Sequence, residues 1–415
     1  MKGVMAVVLA GLLVLSVPAM AVSAVDGEPN ETDEIVFEAD EADQGATFVE
    51  ANGTSNRLDP GEEQRSERVE HGSGLGASLM AADDELRVAS EQETLVRSGF
   101  DNASDEEREE RVRAGYDRLQ ERIDELEDRE RTVVRAHAAD EQSTIELLQT
   151  FSRNYHESET IERALDDLVG YANEIPGYSL STRDDVRKLE MHRSDTRSQL
   201  ETTASRSGSG GQPLAVRTAE TGYTLSLLDG NYVRETTRFD SRNTTQSNQF
   251  DDITDAHGTA QELYPWVFGA DHESHSSDAV ESRTGQLYRV QAIHDQGQLT
   301  TYLDGGTGTA YREVQTLDYR QLPTINNSQW NDDGLALSIN ETAANGPVEV
   351  VVTDAETDEP EPATVSVDGE EIGETGPDGS LWLLPPDGEY DLRAETGDGS
   401  IEGTVSSSDA PSDGE

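Results

Sequence analysis

The stretch SDEEREERVRAGYDRLQERIDELEDRERTVVRAH, residues 104–137, decides how this chain is read. It opens with Ser104 and Glu107 at capping-box spacing, where a hydroxyl and a carboxylate satisfy two free amides of a new helix. Val112, Tyr116, Leu119, Ile123, Leu126, Val133 and His137 then recur in helical steps, the seam of a helix that packs against another. Glu130 alone breaks the register. Glu, Asp and Arg fill the flanking positions, which makes the opposite face a solvated one. His137 on the seam reads as a hydrogen-bonded core residue rather than a ligand.

The same period continues on both sides. Upstream, Leu75, Leu79, Ala82, Leu86, Ala89 and Val96 form a seam, with Glu93 in the missing position and Gly99 placed to stop the helix. Downstream, Ile145, Leu148, Phe151, Tyr155, Ile161, Leu165 and Leu168 extend the pattern toward Pro176, and Val186, Leu189, Thr196 and Leu200 offer a further helix. Breaks near Gly72, Gly99 and Pro176 let the chain fold back, so residues 72–204 are expected to form an antiparallel helical bundle or hairpin.

Residues 205–212, SRSGSGGQ, have linker composition. Beyond them the period changes to two. The segment from Gly222 through Asp229-Gly230 to Tyr232-Val233-Arg234-Glu235 is echoed from Gly297 through Asp304-Gly305 to Tyr311-Arg312-Glu313-Val314, which reads as a duplicated β-hairpin. A helix-like interval at 251–268 lies between the copies, so residues 213–345 are expected to be an α+β domain. After the Asn345-Gly346-Pro347 turn, short alternating runs separated by Asp-Gly turns predict a small β-sandwich over 346–405, followed by a disordered tail at 406–415. The fold class expected is therefore multidomain α+β, in the order helical bundle, α+β domain with duplicated hairpin, small β-sandwich.

Composition bounds the function. The chain has 415 residues, 31 Lys plus Arg against 86 Asp plus Glu, a net charge of -55 and no cysteine. Such a field repels phosphate backbones, which argues against nucleic acid, and the absence of thiols excludes disulfides and cysteine chemistry. Lysine occurs only at Lys2 and Lys188, every other cation is arginine, and acids are spread along the whole chain. This profile resembles that of proteins from extreme halophiles, where a Debye length of about 3 Å at 1 M salt screens the self-repulsion.

An apolar run at 4–17, broken at Pro18 and followed by Ala19-Met20-Ala21 and Val22-Ser23-Ala24, reads as a signal peptide over 1–24. Residues 25–71 then read as a disordered acidic leader, with 35–37 and 47–49 as its ordering candidates. Export gives meaning to glycosylation sequons at Asn30, Asn52, Asn102, Asn243, Asn326 and Asn340. The protein is expected to be secreted or on the cell surface, and to touch the membrane only if the signal segment is uncleaved.

A resemblance appears at the C-terminal end. Val350, Asp354, Thr357, Pro360 or Pro362, Ala363, Val365, Val367, Thr375, Asp378-Gly379, Pro386, Gly388, Tyr390 and Leu392 fall in a run that resembles the carboxypeptidase-regulatory-like, transthyretin-like β-sandwich. Asp358 stands where that family has a glycine, and the strand after Gly399 reads as short, which leaves the sandwich incomplete. The resemblance implies an adhesive or scaffolding module with no catalytic residues. The helical and middle regions resemble uncharacterised secreted haloarchaeal proteins, which implies no activity.

Candidate chemistry is sparse. His257, Asp271, His272 and His275 are the densest potential metal ligands, yet the spacing of His272 and His275 is one residue short of the H-E-x-x-H pattern of zinc hydrolases, and a polar loop is the favoured reading. With 86 acids, no carboxylate pair is informative, and no nucleophile elbow or phosphate loop is present. No cofactor is expected. The expectation is a non-enzymatic exported protein of a halophile that self-associates through its helices or meets another surface protein, with a sandwich as a binding module. The alternative is a secreted metal-dependent hydrolase built on His257, His272 and His275.

Overall fold

A computed structural model describes residues 48–71, 75–205, 212–269, 276–282, 286–386, 388–397 and 399–406. The segment read as a signal peptide, the stretch read as an acidic leader up to residue 47, residues 206–211 of the expected linker and the tail beyond 406 lie outside the described residues.

The chain enters through two short strands, β1 (Phe48–Val49) and β2 (Arg57–Leu58), and a longer one, β3 (Glu63–His71). Five helices follow: α1 (Leu75–Gln92), α2 (Asp105–Ala138), α3 (Thr144–Asn173), α4 (Arg183–Met191) and α5 (Asp195–Ser205). Next come β4 (Gln212–Ala219), β5 (Gly222–Asp229) and β6 (Asn231–Arg238), the helices α6 (Ile253–Leu263) and α7 (Pro265–Phe268), then β7 (Ser276–Ser282), β8 (Leu287–His294), β9 (Gly297–Asp304) and β10 (Thr309–Leu317). These strands make one antiparallel sheet in the order β3-β4-β5-β6-β10-β9-β8-β7.

Two boundaries therefore move. The segment read as a disordered leader supplies β3, whose residues pair with β4 from Glu63↔Ala219 to His71↔Gln212. Its charged sequence EQRSERVEH conceals a strand because ladder hydrogen bonds and buried neighbours, rather than an apolar stripe, hold it. The helical region is consequently an insertion between two neighbouring strands of the sheet.

Within that insertion, α2 and α3 form an antiparallel hairpin. Each starts with a capping box, Ser104 with Glu107 and Ser143 with Glu146, and Asp140 turns the chain between them at a φ of 58°. Val112, Leu119, Ile123 and Leu126 meet Ile161, Leu165 and Leu168 in a closed core. The helix α1 is rotated relative to the seam expected for it. Asp84 accepts both Nε and Nη2 of Arg153 at 2.5 and 2.7 Å, Glu91 accepts from Arg118 and Arg122, and Gln92 donates to the Gly115 carbonyl. These contacts turn Asp84, Val88 and Gln92 inward and leave Leu79 and Leu86 outward, 62% and 70% exposed.

One face of the sheet packs on the insertion through Leu214, Val216, Tyr223, Leu225 and Leu227 against Val133, Val134, Leu147, Leu148 and Phe151. The other is covered by α6, by α7 and by the strap carrying Leu58. Both hairpins expected from the repeat, β5-β6 and β9-β10, are formed, and their second strands pair with each other.

The sandwich begins earlier than the sequence suggested. The strands β11 (Thr324–Asp332) and β12 (Leu335–Thr342), placed by the sequence reading in the middle domain, form a sheet with β13 (Val348–Asp354) and β16 (Ser380–Leu383). It faces a second sheet of β15 (Glu370–Glu374), β14 (Thr364–Val367), β17 (Glu389–Glu395) and β18 (Ser400–Ser406). The last strand is not short, since β18 pairs along the whole of β17 from Glu389↔Ser406 to Glu395↔Ser400. Val350, Val352, Val365, Leu392 and Ile401 fill the space between the sheets.

Candidate binding cleft

The antiparallel register brings a row of mainly polar side chains onto the face beneath the insertion. Arg65, Thr218, Tyr223, Thr237, Arg312, Tyr302 and Arg289 stand opposite one another on seven neighbouring strands, from β3 to β8. Polar groups in such a place need partners, and the helices supply them. His137 sits between Thr218 Oγ1 at 2.8 Å and Thr144 Oγ1 at 2.9 Å, the hydrogen-bonded core position expected of it.

At the centre of the row Glu130, the residue that broke the helical seam, receives Arg197 Nη1 at 2.9 Å, Arg312 Nη2 at 2.9 Å and the Tyr223 hydroxyl at 2.9 Å, with His192 Nδ1 at 3.0 Å. Glu235 lies 2.8 Å from the same hydroxyl and 3.3 Å from Arg197 Nε, and it accepts from Ser194. Burial pushes Glu130 up, but the guanidiniums of Arg197 and Arg312 outweigh that and hold it well below the usual carboxylate range. Burial also lowers His192 and raises Tyr223, so both remain neutral. Two carboxylates and two guanidiniums balance. Every member is buried, which makes this cluster a clamp between insertion and sheet rather than a site that meets substrate.

The Arg-Glu dipeptides of the repeat explain each other here. Glu235 and Arg312 point to the insertion, whereas Arg234 and Glu313 point to the opposite face. There Arg234 Nη1 meets Glu313 Oε1 at 2.8 Å, and the pair holds both the Leu58 carbonyl and the Leu58 amide, fastening the strap across the sheet.

The far end of the row opens to solvent. Arg183, Val186, Arg187 and Glu190 follow helical spacing on one face of α4, and they meet Leu287 and Arg289 of β8 and Tyr302 of β9 around a cleft of about 270 Å³. Burial raises Tyr302, which keeps its hydroxyl a donor. Arg187 lies 3.3 Å from Asp184. Sequence reasoning missed this cleft; its signal was Arg183 and Arg187 four apart in a strongly acidic chain.

Of the four candidate ligands read from the sequence, His257 is the one among the described residues. His257 lies on α6 with its ring edge-on to Phe268 at 5.4 Å, and Asp271, His272 and His275 lie outside the described residues. Among the described residues no three potential ligands gather around a metal position. Of the sequon asparagines, Asn52, Asn102 and Asn326 are exposed, Asn243 and Asn340 are half-buried, and Asn30 lies outside the described residues. Nδ2 of Asn326 and of Asn340 donate to Glu341 and Glu349 at 2.8 and 3.0 Å, and Asn243 Oδ1 accepts from Thr245. Among the described residues no helix is long and apolar enough to cross a membrane.

Three family models match the chain. Residues 326–403 match an archaeal fibronectin-III type-like domain, which replaces the carboxypeptidase-regulatory-like assignment. That assignment used only the strands after residue 346, whereas the folded module includes β11 and β12. Residues 214–323 match a family of unknown function (DUF7094), and residues 1–209 match a domain of unknown function (DUF7096). No curated protein and no solved structure matches the chain. The pairing of β3 with β4 joins the first two matches in one sheet, and because the model for residues 1–209 spans half of the 415-residue chain, the protein belongs to the DUF7096 domain family.

Proposed function

We propose that this is a non-enzymatic exported surface protein that associates with a second copy of itself through α1 and presents its fibronectin-III-like sandwich as a binding module. The observation that carries the reading is the outward stripe of α1. Leu79, Ala82, Leu86 and Ala89 are all exposed and follow steps of three and four, the spacing by which one helix inserts its side chains into another. A second α1 presents the matching spacing. The apolar run at 4–17 and the exposed sequons at Asn52, Asn102 and Asn326 support export, and the acidic composition supports a saline medium.

Burying four leucines across the pair contributes about 1.5–3 kcal/mol each. Lost translational and rotational freedom costs about 4–15 kcal/mol, so association is weak in solution and gains from crowding on a surface. A photo-crosslinking residue at Ala82, between the two leucines, tests the reading on intact cells. The expected product contains two copies of this chain. Its absence, or capture of a different protein alone, would overturn self-association.

A further inference from the structure

The two outer faces of the sandwich differ in charge. On the sheet β15-β14-β17-β18 the outward residues include Glu389, Asp391 and Glu395 of β17 and Glu402 of β18, with Arg393 among them. That is the ordinary surface of this chain, 28% of which is charged. The sheet β11-β12-β13-β16 turns Leu337, Ile339, Val350 and Val352 to the core, and the residues between them face out. Its middle outward row is Gln329, Ser338, Val351 and Ser380. Asn331, Ala336 and Thr353 lie on one side of that row. On the other, Asn327, Asn340 and Glu349 lead to Trp382. Glu349 is the one charged side chain in the three rows, and its Oε2 accepts Asn340 Nδ2 at 3.0 Å.

We infer that this uncharged face binds a neutral glycan chain carried by another molecule. The inference rests on the reading of the sandwich as a binding module and names its ligand.

Each sugar hydroxyl both donates and accepts a hydrogen bond, and the amides of Asn and Gln with the hydroxyls of Ser and Thr offer both roles side by side. Strands stand about 4.8 Å apart and successive outward residues about 7 Å apart, so a chain laid on the face meets polar groups repeatedly. Asn327, Gln329 and Asn331 are exposed and available to it. With no cation in the three rows, a phosphate or uronate finds no counter-charge. The lone carboxylate is already engaged, which leaves little to hold a metal ion. Protein partners anchor on large apolar side chains at the centre of an interface, whereas the middle row here holds one, Val351. Trp382 ends its row at β16, with its ring 4.9 Å from that of Tyr319. It stays partly open to solvent, and the C–H face of a pyranose can pack on an indole.

Calorimetric titration of the full chain at molar salt tests this, with protein made in a host that does not glycosylate it, so that Asn340 is bare. The probes are maltopentaose, cellopentaose and mannopentaose, with a galacturonate pentamer as the charged control. Saturable binding of at least one neutral pentamer is expected, and none of the galacturonate. The affinity should hold constant when the salt is doubled, because no charges meet. Gln329→Ala and Asn331→Ala should each weaken binding about fivefold, the loss of roughly one net hydrogen bond, at an unchanged unfolding midpoint because both side chains are exposed. Glu402→Ala, on the acidic face, should leave the affinity as it is. No saturable binding of any neutral pentamer, equal binding of galacturonate, or unchanged affinity in both face variants would overturn the proposal. If the pentamers fail while a photo-crosslinker at Gln329 captures a protein on intact cells, the glycan assignment falls and the sandwich remains a binding module.

Discussion

Arg312 Nη2 on β10 lies 2.9 Å from Glu130 Oε1 in the C-terminal third of α2, joining residues 182 positions apart in the chain. Through this contact the helical insertion and the sheet share one charge-balanced core with Arg197 and Glu235. Glu130 is thus the inserted helix's reach into the sheet, and its place on the apolar seam follows from that.

Removing one member should be far worse than removing a matched pair. Glu130→Ala leaves Arg197 and Arg312 buried with only Glu235 to offset them, and the expected loss is about 3–5 kcal/mol in urea unfolding at molar salt. Glu130→Leu combined with Arg312→Met should lose less than the sum of the two single changes. Additive losses would mean that the two residues do not act as a unit.

Acid should destabilise the protein in two stages. Burial, assisted by nearby Arg65, pushes His137 down from 6.5 to about 4. The unfolded imidazole therefore binds its proton first, and stability falls as pH drops from about 6.5 to about 4, by at most about 3 kcal/mol. Glu130, depressed in the folded state, adds stability above its ordinary value of 4.5 that is lost as pH falls further. His156 has the opposite sign: its hydrogen bond to Glu201 raises it, so its contribution is present at low pH and fades as pH rises through the folded value. In stability–pH profiles, His137→Gln should flatten the slope between about 4 and 6.5, and an unchanged slope would contradict this assignment.

The sandwich depends on one glycine. A Cβ at Gly403 on β18 would sit 2.3 Å from the Trp330 ring on β11. Gly403→Ala should cost about 1–3 kcal/mol and shift tryptophan fluorescence, because the indole must leave the edge where the two sheets meet. Trp330→Leu in the same chain should recover part of the loss. If the alanine variant is as stable as the parent, the indole does not close that edge.

Much of this was legible in the sequence. The Ser104–Glu107 capping box and the α2 seam appear in the structure as written, because local hydrogen bonding and periodicity set them. The repeated Arg-Glu dipeptide announced two hairpins, though not that they would answer each other across opposite faces, which depends on the β6–β10 register. Other features were hidden because partners far along the chain decide them. Asp84 and Arg153 orient α1, so Leu79 and Leu86 face out although their spacing resembles a core seam. The strand β3 is polar, and only its pairing with β4 makes it a strand. The cleft combines α4 with β8 and β9, a meeting that no local pattern records.

Self-association through α1 is the central claim, and sedimentation velocity at molar salt over a range of protein concentrations tests it most directly. A monomer–dimer equilibrium is expected for the parent chain. A monomer at every concentration is expected for Leu79→Glu with Leu86→Glu, at an unchanged unfolding midpoint because both side chains are exposed. A parent chain that stays monomeric at the highest concentration, or a double variant that dimerises equally well, would contradict it.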